Sequence, residues 1–240
     1  MNAIFLTART KSSRLPSKCL LDVAPDLPTV KFLIQRLQGM GYPLILCTSD
    51  SEADNILAAL GKSCSIKVFR GSEEDKVKRW LDCAERYKVD FFVSADGDDL
   101  FVEPDFIKLA FKQYEEKGHK FIQCSGTPTG TFSWGMEVKA LQELYTQHVP
   151  TSKNTEMAFS WFVDNHELEG VPEKYYRHDI RMTLDYQEDL DFFRAVYAKI
   201  GNKYLDDIIS FLEVNPDIAK INISREYDWK SNQQKQIGQM

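Results

Sequence analysis

The chain has 240 residues, a formal net charge of −6, and 43% hydrophobic and 28% charged residues. That length supports one large domain with a substantial core, and the acidic balance argues against general nucleic-acid binding, which needs broad basic surface. No stretch approaches the roughly 20 apolar residues that span a bilayer, no leader of basic then apolar residues opens the sequence, and five scattered cysteines form no CxxC pair. The expectation is a cytoplasmic protein with reduced thiols, no structural zinc and no membrane insertion.

The first apolar run, Ala3–Leu6, leads into residues 9–18, where Arg9, Lys11, Arg14 and Lys18 stand among small hydroxyl residues. No acid occurs in residues 1–21. After a buried first strand such a loop suits a triphosphate, because backbone N–H groups and cations converge on the anion. The alternative is a solvated basic loop. The cluster is too small for a duplex and about right for a nucleotide.

Further short apolar runs, Leu44–Cys47, Ile66–Phe69, Phe91–Ala95 and Phe121–Cys124, are bounded by Gly, Pro or charge. They have the character of buried parallel strands. Between them Val30, Leu33, Ile34 and Leu37 repeat at helical spacing, as do Phe106, Ala110 and Tyr114 after Pro104, a plausible first helical residue. Strand and helix in series imply an α/β fold, a mostly parallel sheet with helices on both faces. Ligands of such sheets collect at the carboxyl ends of the strands, where loop 9–18 and segment 96–103 would lie.

Phe69-Arg70-Gly71-Ser72-Glu73-Glu74-Asp75 leads from a strand into a helix. Ser72 as N-cap with Asp75 at N3 would make a capping box. Alternatively this stretch meets a ligand, with Arg70 and Arg79 reaching a nucleotide.

Asp96-Gly97-Asp98-Asp99 follows a strand directly. Three acids in four residues repel one another unless solvated or bound to a cation, and Mg²⁺ takes one or two carboxylates with waters and phosphate oxygens. Asp185, at the end of a predicted strand over residues 179–185, is the second carboxylate of such a site. The alternative is an acidic turn capping the helix near Pro104.

Residues 125–178 break the alternation, with a loop-rich start and helical patterns at Leu141–His148 and Glu156–Asp164. This aromatic-rich insertion either covers the acceptor side of the site or forms a homodimer contact; a packed satellite core is the other reading. Leu190, Phe193, Tyr197 and Ile200 mark a later helix. Residues 1–223 thus make one domain, and 224–240 a polar C-terminal tail. No GxSxG, Walker or GxGxxG sequence occurs, so a hydrolase triad and dinucleotide binding find no support.

Ala8-Arg9 through Arg14-Leu15-Pro16-Ser17-Lys18 resembles the ARxxSxRLPGK signature of the cytidylyltransferases that activate sugar acids, such as the 3-deoxy-manno-octulosonate and acylneuraminate enzymes. Segment 69–80 is similar to FRGSEEDVLxRY of the branch named after the spore-coat polysaccharide biosynthesis protein F. Segments 97–104 and 181–190 resemble its GDxPLIDP and RLTLDxPEDL, and Asn215-Pro216 to Asn222 its closing stretch. The matches run in family order across nearly the whole chain.

The resemblance implies a Rossmann-like nucleotidyltransferase that transfers CMP from CTP to a sugar acid or related acidic or phosphorylated acceptor, releasing pyrophosphate, in surface-polysaccharide or glycoconjugate precursor synthesis. It implies that Arg9, Arg14 and Lys18 hold the triphosphate, that Ala8, Arg70 and Asp75 also bind nucleotide, that Arg14 and Lys18 are catalytic, and that Asp98 and Asp185 bind Mg²⁺ or Mn²⁺. Three departures stand out: Ser17 for the usual Gly, Leu100 for a Pro, and Asn154-Thr155-Glu156-Met157 where the branch often has an Arg-Glu-His run. Two other functions stay open. Asp96-Gly97-Asp98 also reads as the DxD motif of a nucleotide-sugar glycosyltransferase, and the departures fit a non-catalytic nucleotide-binding relative.

Overall fold

In chain order the elements begin with β1 (Asn2–Thr7), β2 (Asp22–Ala24), β3 (Leu27–Pro28), α1 (Thr29–Leu37), β4 (Leu44–Ser49), α2 (Asn55–Ser63), β5 (Lys67–Gly71), α3 (Lys76–Tyr87) and β6 (Phe91–Asp96). They continue with α4 (Pro104–Lys117), β7 (Phe121–Gln123), β8 (Trp134–Glu137), α5 (Val138–His148), β9 (His166–Glu167), α6 (Gln187–Ile200), α7 (Leu205–Val214), α8 (Pro216–Ala219) and α9 (Arg225–Ile237). The computed structural model describes residues 1–148 and 155–237.

Alternation along the central strands divides the core in two. Ile4 and Leu6 of β1, Leu44 and Leu46 of β4, and Phe91, Val93 and Ala95 of β6 join one apolar cluster with the inner faces of α1, α4, α6 and α7. Ala3, Phe5, Ile45, Cys47 and Phe92, one residue out of phase, join the other with α3 and α5. That is the two-residue period of a strand buried on both faces. Phe5 stacks on Phe92 with ring centroids 4.4 Å apart, and Trp80 packs on Phe92 at 5.4 Å. Each such buried ring stabilises the fold by about 1.5–3 kcal/mol.

The seven-stranded sheet has the order β5-β4-β1-β6-β8-β7-β9. β1 pairs in parallel with β4 and β6, and β4 with β5. β8 alone runs against its neighbours, antiparallel to β6 and β7. The mostly parallel sheet between two helical layers is the α/β architecture read from the sequence. Its register decides where the site forms: Thr7 is opposite both Cys47 and Asp96, so the loops after β1, β4 and β6 leave from one edge. Gly97 N–H donates to Thr7 O at 2.8 Å, and a Cβ on Gly97 would sit 2.9 Å from the Ala8 Cβ. Only glycine lets the two loops cross that closely.

Three sequence expectations are corrected. Residues 181–185 are extended but form no strand: Arg181 makes one isolated bridge to Thr129, and Met182 and Leu184 N–H groups donate to Thr129 O and Asp98 O. Loop carbonyls, not a sheet edge, satisfy this backbone. Gly130 (φ +95°) permits the approach, since a Cβ there would meet Met182 O at 2.1 Å. Within 156–164 only Ala158–Trp161 is helical, as one 3₁₀ turn. Aromatic packing, Phe159 on Trp134 and Phe162 on Phe121, sets that segment's course instead of helical periodicity. Finally, Arg225–Ile237, within the expected polar tail, is a helix. Arg225 pairs with Glu188, and Glu226 with Arg181. Asn154, residues 149–153 and 238–240 lie outside the described residues.

Candidate active site

Two clefts open side by side at the carboxyl edge of the sheet. The first, about 350 Å³, is lined by Thr7, Ala8, Arg9, Lys11, Arg14 and Lys18 of the loop after β1, by Asp96 and Asp98 after β6, and by Lys76 and Arg79 of α3. The second, about 520 Å³, is lined by residues 123–130 and 132–134, by Arg177, His178 and Thr183, and by Trp229 and Lys230 of α9. Arg14, Asp96, Asp98, Trp134 and Gln233 border both.

Lys18 is the centre of the charged constellation. Its Nζ lies 2.6 Å from Asp98 Oδ2 and 2.7 Å from Asp185 Oδ1, and Arg14 reaches the same Asp185 oxygen at 2.6 Å. Two aspartates 87 positions apart in sequence therefore share one ammonium. Burial pulls against the Lys18 charge, but Asp98 and Asp185 outweigh it and hold this ammonium above the ordinary lysine range. Burial likewise works against the Asp98 carboxylate, and Lys18 overcomes it, leaving Asp98 below the usual carboxylate range.

The backbone that delivers Lys18 bends through Ser17, which is left-handed at φ +53°. Glycine takes that conformation without the Cβ clash a serine carries, which accounts physically for the glycine of the quoted signature. Leu100, another departure, is fully buried in the larger core cluster.

The three acids after β6 have three surroundings. Asp98 meets Lys18. Asp96 accepts from Ser94 and pairs with Lys76 at 3.3 Å. Asp99 accepts from Ser133 Oγ at 2.7 Å, and burial, then Asp98 and Asp96, push its carboxyl well above the usual range. None of them caps α4: that role belongs to Glu103, whose carboxylate accepts from the Asp105 N–H, with Pro104 at the first turn.

A divalent cation fits this donor set. One carboxylate oxygen from each of Asp96, Asp98 and Asp99 lies within 4.8 Å of the others. Asp185 is 1% exposed, and its Oδ2 has no hydrogen-bond partner; Arg181 stands 3.6 Å away. Hard carboxylate oxygens, one of them unsatisfied, match Mg²⁺ or Mn²⁺.

Among the residues expected at the nucleotide, Ala8, Arg9, Arg14 and Lys18 come together in the first cleft. Arg70 and Asp75 do not line it. Arg70 donates to Ser49 O, Ser51 O and Asn55, tying the loop after β4. Asp75 is the N-cap of α3, accepting from Lys78 N–H, and its side chain also accepts from Tyr145 and Thr155. The capping box is shifted: α3 starts at Lys76, and Ser72 accepts from the Asp75 N–H one turn earlier. Arg79 does line the cleft, with a buried Nε that lacks a partner.

Sequence reasoning missed Asp54 and Lys76. Asp54, 2% exposed, accepts from Thr10 N–H and Oγ through Oδ1, and from Thr48, Ser49 N–H and Ser49 Oγ through Oδ2. It fastens the cationic loop to the end of β4, and only tertiary structure brings those groups together. Lys76 stands where the FRGSEEDVLxRY signature has Val, a departure visible in the sequence.

A cationic loop after the first strand, strand-end carboxylates and a mostly parallel sheet define a nucleotidyltransferase of Rossmann-like fold. The chain belongs to the cytidylyltransferase family, which it matches over residues 3–205. It is 26% identical over 238 residues to the spore coat polysaccharide biosynthesis protein SpsF of Bacillus subtilis, covering 89% of this chain and 95% of that one. Its fold is similar to a cytidylyltransferase structure from Leptospira borgpetersenii (TM-score 0.77, 22% identity, 91% of this chain and 96% of that one). It is also similar to a CMP:2-keto-3-deoxy-manno-octonic acid synthetase structure complexed with CTP (TM-score 0.58, 17% identity, 82% and 98%). No helix of the described residues is long and apolar enough to cross a membrane.

Proposed function

We propose that this CTP-dependent nucleotidyltransferase moves CMP from CTP to a sugar acid or a related acidic or phosphorylated acceptor, with Mg²⁺ or Mn²⁺ held by Asp98 and Asp185. The carrying observation is Lys18, in the first cleft, bridging Asp185 and Asp98, the latter a residue that borders both clefts. The likeness to a spore coat polysaccharide biosynthesis protein and to a CMP:2-keto-3-deoxy-manno-octonic acid synthetase supports the acceptor class.

The first cleft takes the nucleotide. Arg9, Arg14 and Lys18 meet the triphosphate with charge-assisted hydrogen bonds, each stronger than a neutral one. Binding exchanges partners: the Lys18 ammonium leaves Asp98 and Asp185 for a phosphate oxygen. The bound cation would screen phosphate charge at the carboxylates that Lys18 releases.

The second cleft takes the acceptor. Its walls combine Phe132, Trp134, Phe159 and Trp229 with Ser125, Thr127, Thr129 and Thr183, and include Arg177, paired with Asp179 and Glu213, and Lys230, paired with Glu226. Flat aromatic faces beside hydroxyl groups suit a polyhydroxylated ring. Arg14, which borders both clefts, orients the two reactants. The acceptor oxygen attacks the α-phosphorus in line and pyrophosphate leaves, so positioning supplies much of the acceleration.

Pyrophosphate release should be measured with each of the four nucleoside triphosphates against a panel of sugar acids and phosphorylated alcohols. CTP with an acidic acceptor should be preferred. Equal turnover of all four nucleotides, or no turnover with any acceptor, would sink the reading.

A further inference from the structure

Three aspartate carboxylates converge after β6, more than a single Mg²⁺ site uses. Two cations answer them, and they are held differently. Lys18 rides on the loop after β1 and divides its ammonium between Asp98 and Asp185. Lys76 stands on the first turn of α3 with its side chain 7% exposed. Its Nζ is 3.3 Å from both Asp96 oxygens and 3.8 Å from Glu156 Oε2. The same ammonium lies over the rings of Trp80 at 4.7 Å and Trp134 at 5.8 Å. Two aromatic faces and two carboxylates cage this charge, while the charge on Lys18 can change partners.

We infer that Lys76 is a positioning residue that holds Asp96 in a fixed ion pair and so reserves Asp98 as the aspartate of this cluster that receives the divalent cation. Asp99 is withdrawn separately by Ser133. One acid is neutralised by a caged cation, one is hydrogen-bonded to a hydroxyl, and one faces an exchangeable cation. Glu156 extends the arrangement, because it pairs with Arg9 at 2.8 Å as well as with Lys76. A cation of the nucleotide loop and the caged lysine thus share one counter-ion. The inference rests on the metal assignment to Asp98 and Asp185.

The test is Mn²⁺ binding, followed by electron paramagnetic resonance without nucleotide and with a non-hydrolysable CTP analogue, in the parent, Lys76→Met, Lys76→Arg, Asp96→Asn and the Lys76→Met/Asp96→Asn pair. Methionine keeps the unbranched apolar stem and removes the charge. Lys76→Met frees Asp96 as a competing ligand and should tighten Mn²⁺ roughly threefold or more, while KM for CTP rises. A merely structural role would weaken both. The double variant and Lys76→Arg should return Mn²⁺ affinity to near the parent's. Asp96→Asn alone should leave it within about twofold, because Asp96 is not the acceptor of the metal.

Unchanged or weaker Mn²⁺ binding in a folded Lys76→Met, with the parent binding normally, overturns this inference alone. So does a tenfold loss in Asp96→Asn, which holds as a test even if Lys76→Met does not fold. Failure of Mn²⁺ to bind the parent and every variant, with the CTP analogue as well as without it, overturns the metal assignment and this inference together.

Discussion

Arg181 Nη1 donates to Glu226 Oε2 at 3.0 Å, a contact that fastens the C-terminal helix to the segment carrying Asp185. The same guanidinium donates to both oxygens of Asp189, whose Oδ2 accepts the Asp185 N–H at 2.8 Å. Asn222 closes the group by donating to Asp189 Oδ1. Arg181 and Asp189 are fully buried, and burying such charges is tolerable only because each has several partners.

Removing the guanidinium should therefore be severe. Arg181→Met is expected to destabilise the protein by about 3–5 kcal/mol, leaving the fully buried Asp189 carboxylate without its cation. Glu226→Gln keeps the hydrogen-bonding shape and should cost no more than about 1–2 kcal/mol. Because α9 also brings Trp229 and Lys230 to the second cleft, Glu226→Ala should raise the acceptor KM more than the CTP KM. Urea melts and steady-state kinetics check both; equal rises in the two KM values would detach α9 from the acceptor.

Lys18→Ala is expected to act on both stability and binding. The loop cations look exposed in the sequence, yet the Lys18 side chain is only 16% exposed and holds two acids. Without it Asp98 loses its cation and Asp185 keeps only its arginines, Arg14 at 2.6 Å and Arg181 at 3.6 Å, a loss of about 2–3 kcal/mol in metal-free buffer. Mg²⁺ can take over that neutralisation, so the variant's melting temperature should rise with Mg²⁺ more steeply than the parent's. A melting temperature that is insensitive to Mg²⁺ in both proteins would contradict the metal assignment. CTP affinity should still fall, by about 1.5–3 kcal/mol for the lost charge-assisted contact.

The sheet was legible because its strands are buried on both faces: Ala3–Leu6 and Leu44–Cys47 are uninterrupted apolar runs, and Phe91–Ala95 is broken only by Ser94. The cationic loop and Asp98 were legible for a related reason, since strand ends mark where polar chemistry begins. Residues 181–185 misled, because buried alternation resembles a strand even where loop carbonyls satisfy the backbone. The helix α9 was missed because its apolar content is low; Arg181 and Glu188 anchor it through ion pairs, for which local periodicity carries no signal. Asp54 escaped for the same reason, since its five donors come from Thr10, Thr48 and Ser49, distant or unremarkable in sequence.

Asp98→Asn and Asp185→Asn should each abolish most turnover, because an amide keeps the shape and loses the charge a hard cation needs. Asp99→Asn is the contrasting case. Its carboxyl is pushed well above the ordinary range and meets the Ser133 and Thr183 hydroxyls, so a neutral amide should preserve substantial activity. Turnover against Mg²⁺ concentration for the three variants is the measurement. A dead Asp99→Asn beside an active Asp98→Asn would mean that the metal carboxylate has been assigned to the wrong residue.

Asp54 predicts a pH effect on stability. Burial opposes its charge, but hydroxyls of Ser49, Thr10 and Thr48 and the Thr10 N–H overcome it and depress the folded-state value below that of an ordinary aspartate. A group depressed on folding binds fewer protons when native than when unfolded, so its contribution is fully present above the ordinary carboxylate value. That contribution disappears as pH falls through the depressed value. Asp54→Asn removes the titration and turns acceptor oxygens into a donor facing Thr48 and Ser49 or Thr10, at a cost of about 1–3 kcal/mol near neutrality. The stability difference between parent and variant should be constant from pH 6 to 8 and shrink in the acid limb, roughly below pH 4. Urea denaturation midpoints across that range decide it; a difference that grew on acidification would carry the wrong sign for a carboxylate stabilised by folding. The same variant should loosen Thr10 and with it the loop bearing Arg9 and Arg14, raising KM for CTP even at pH 7, where the protein remains folded.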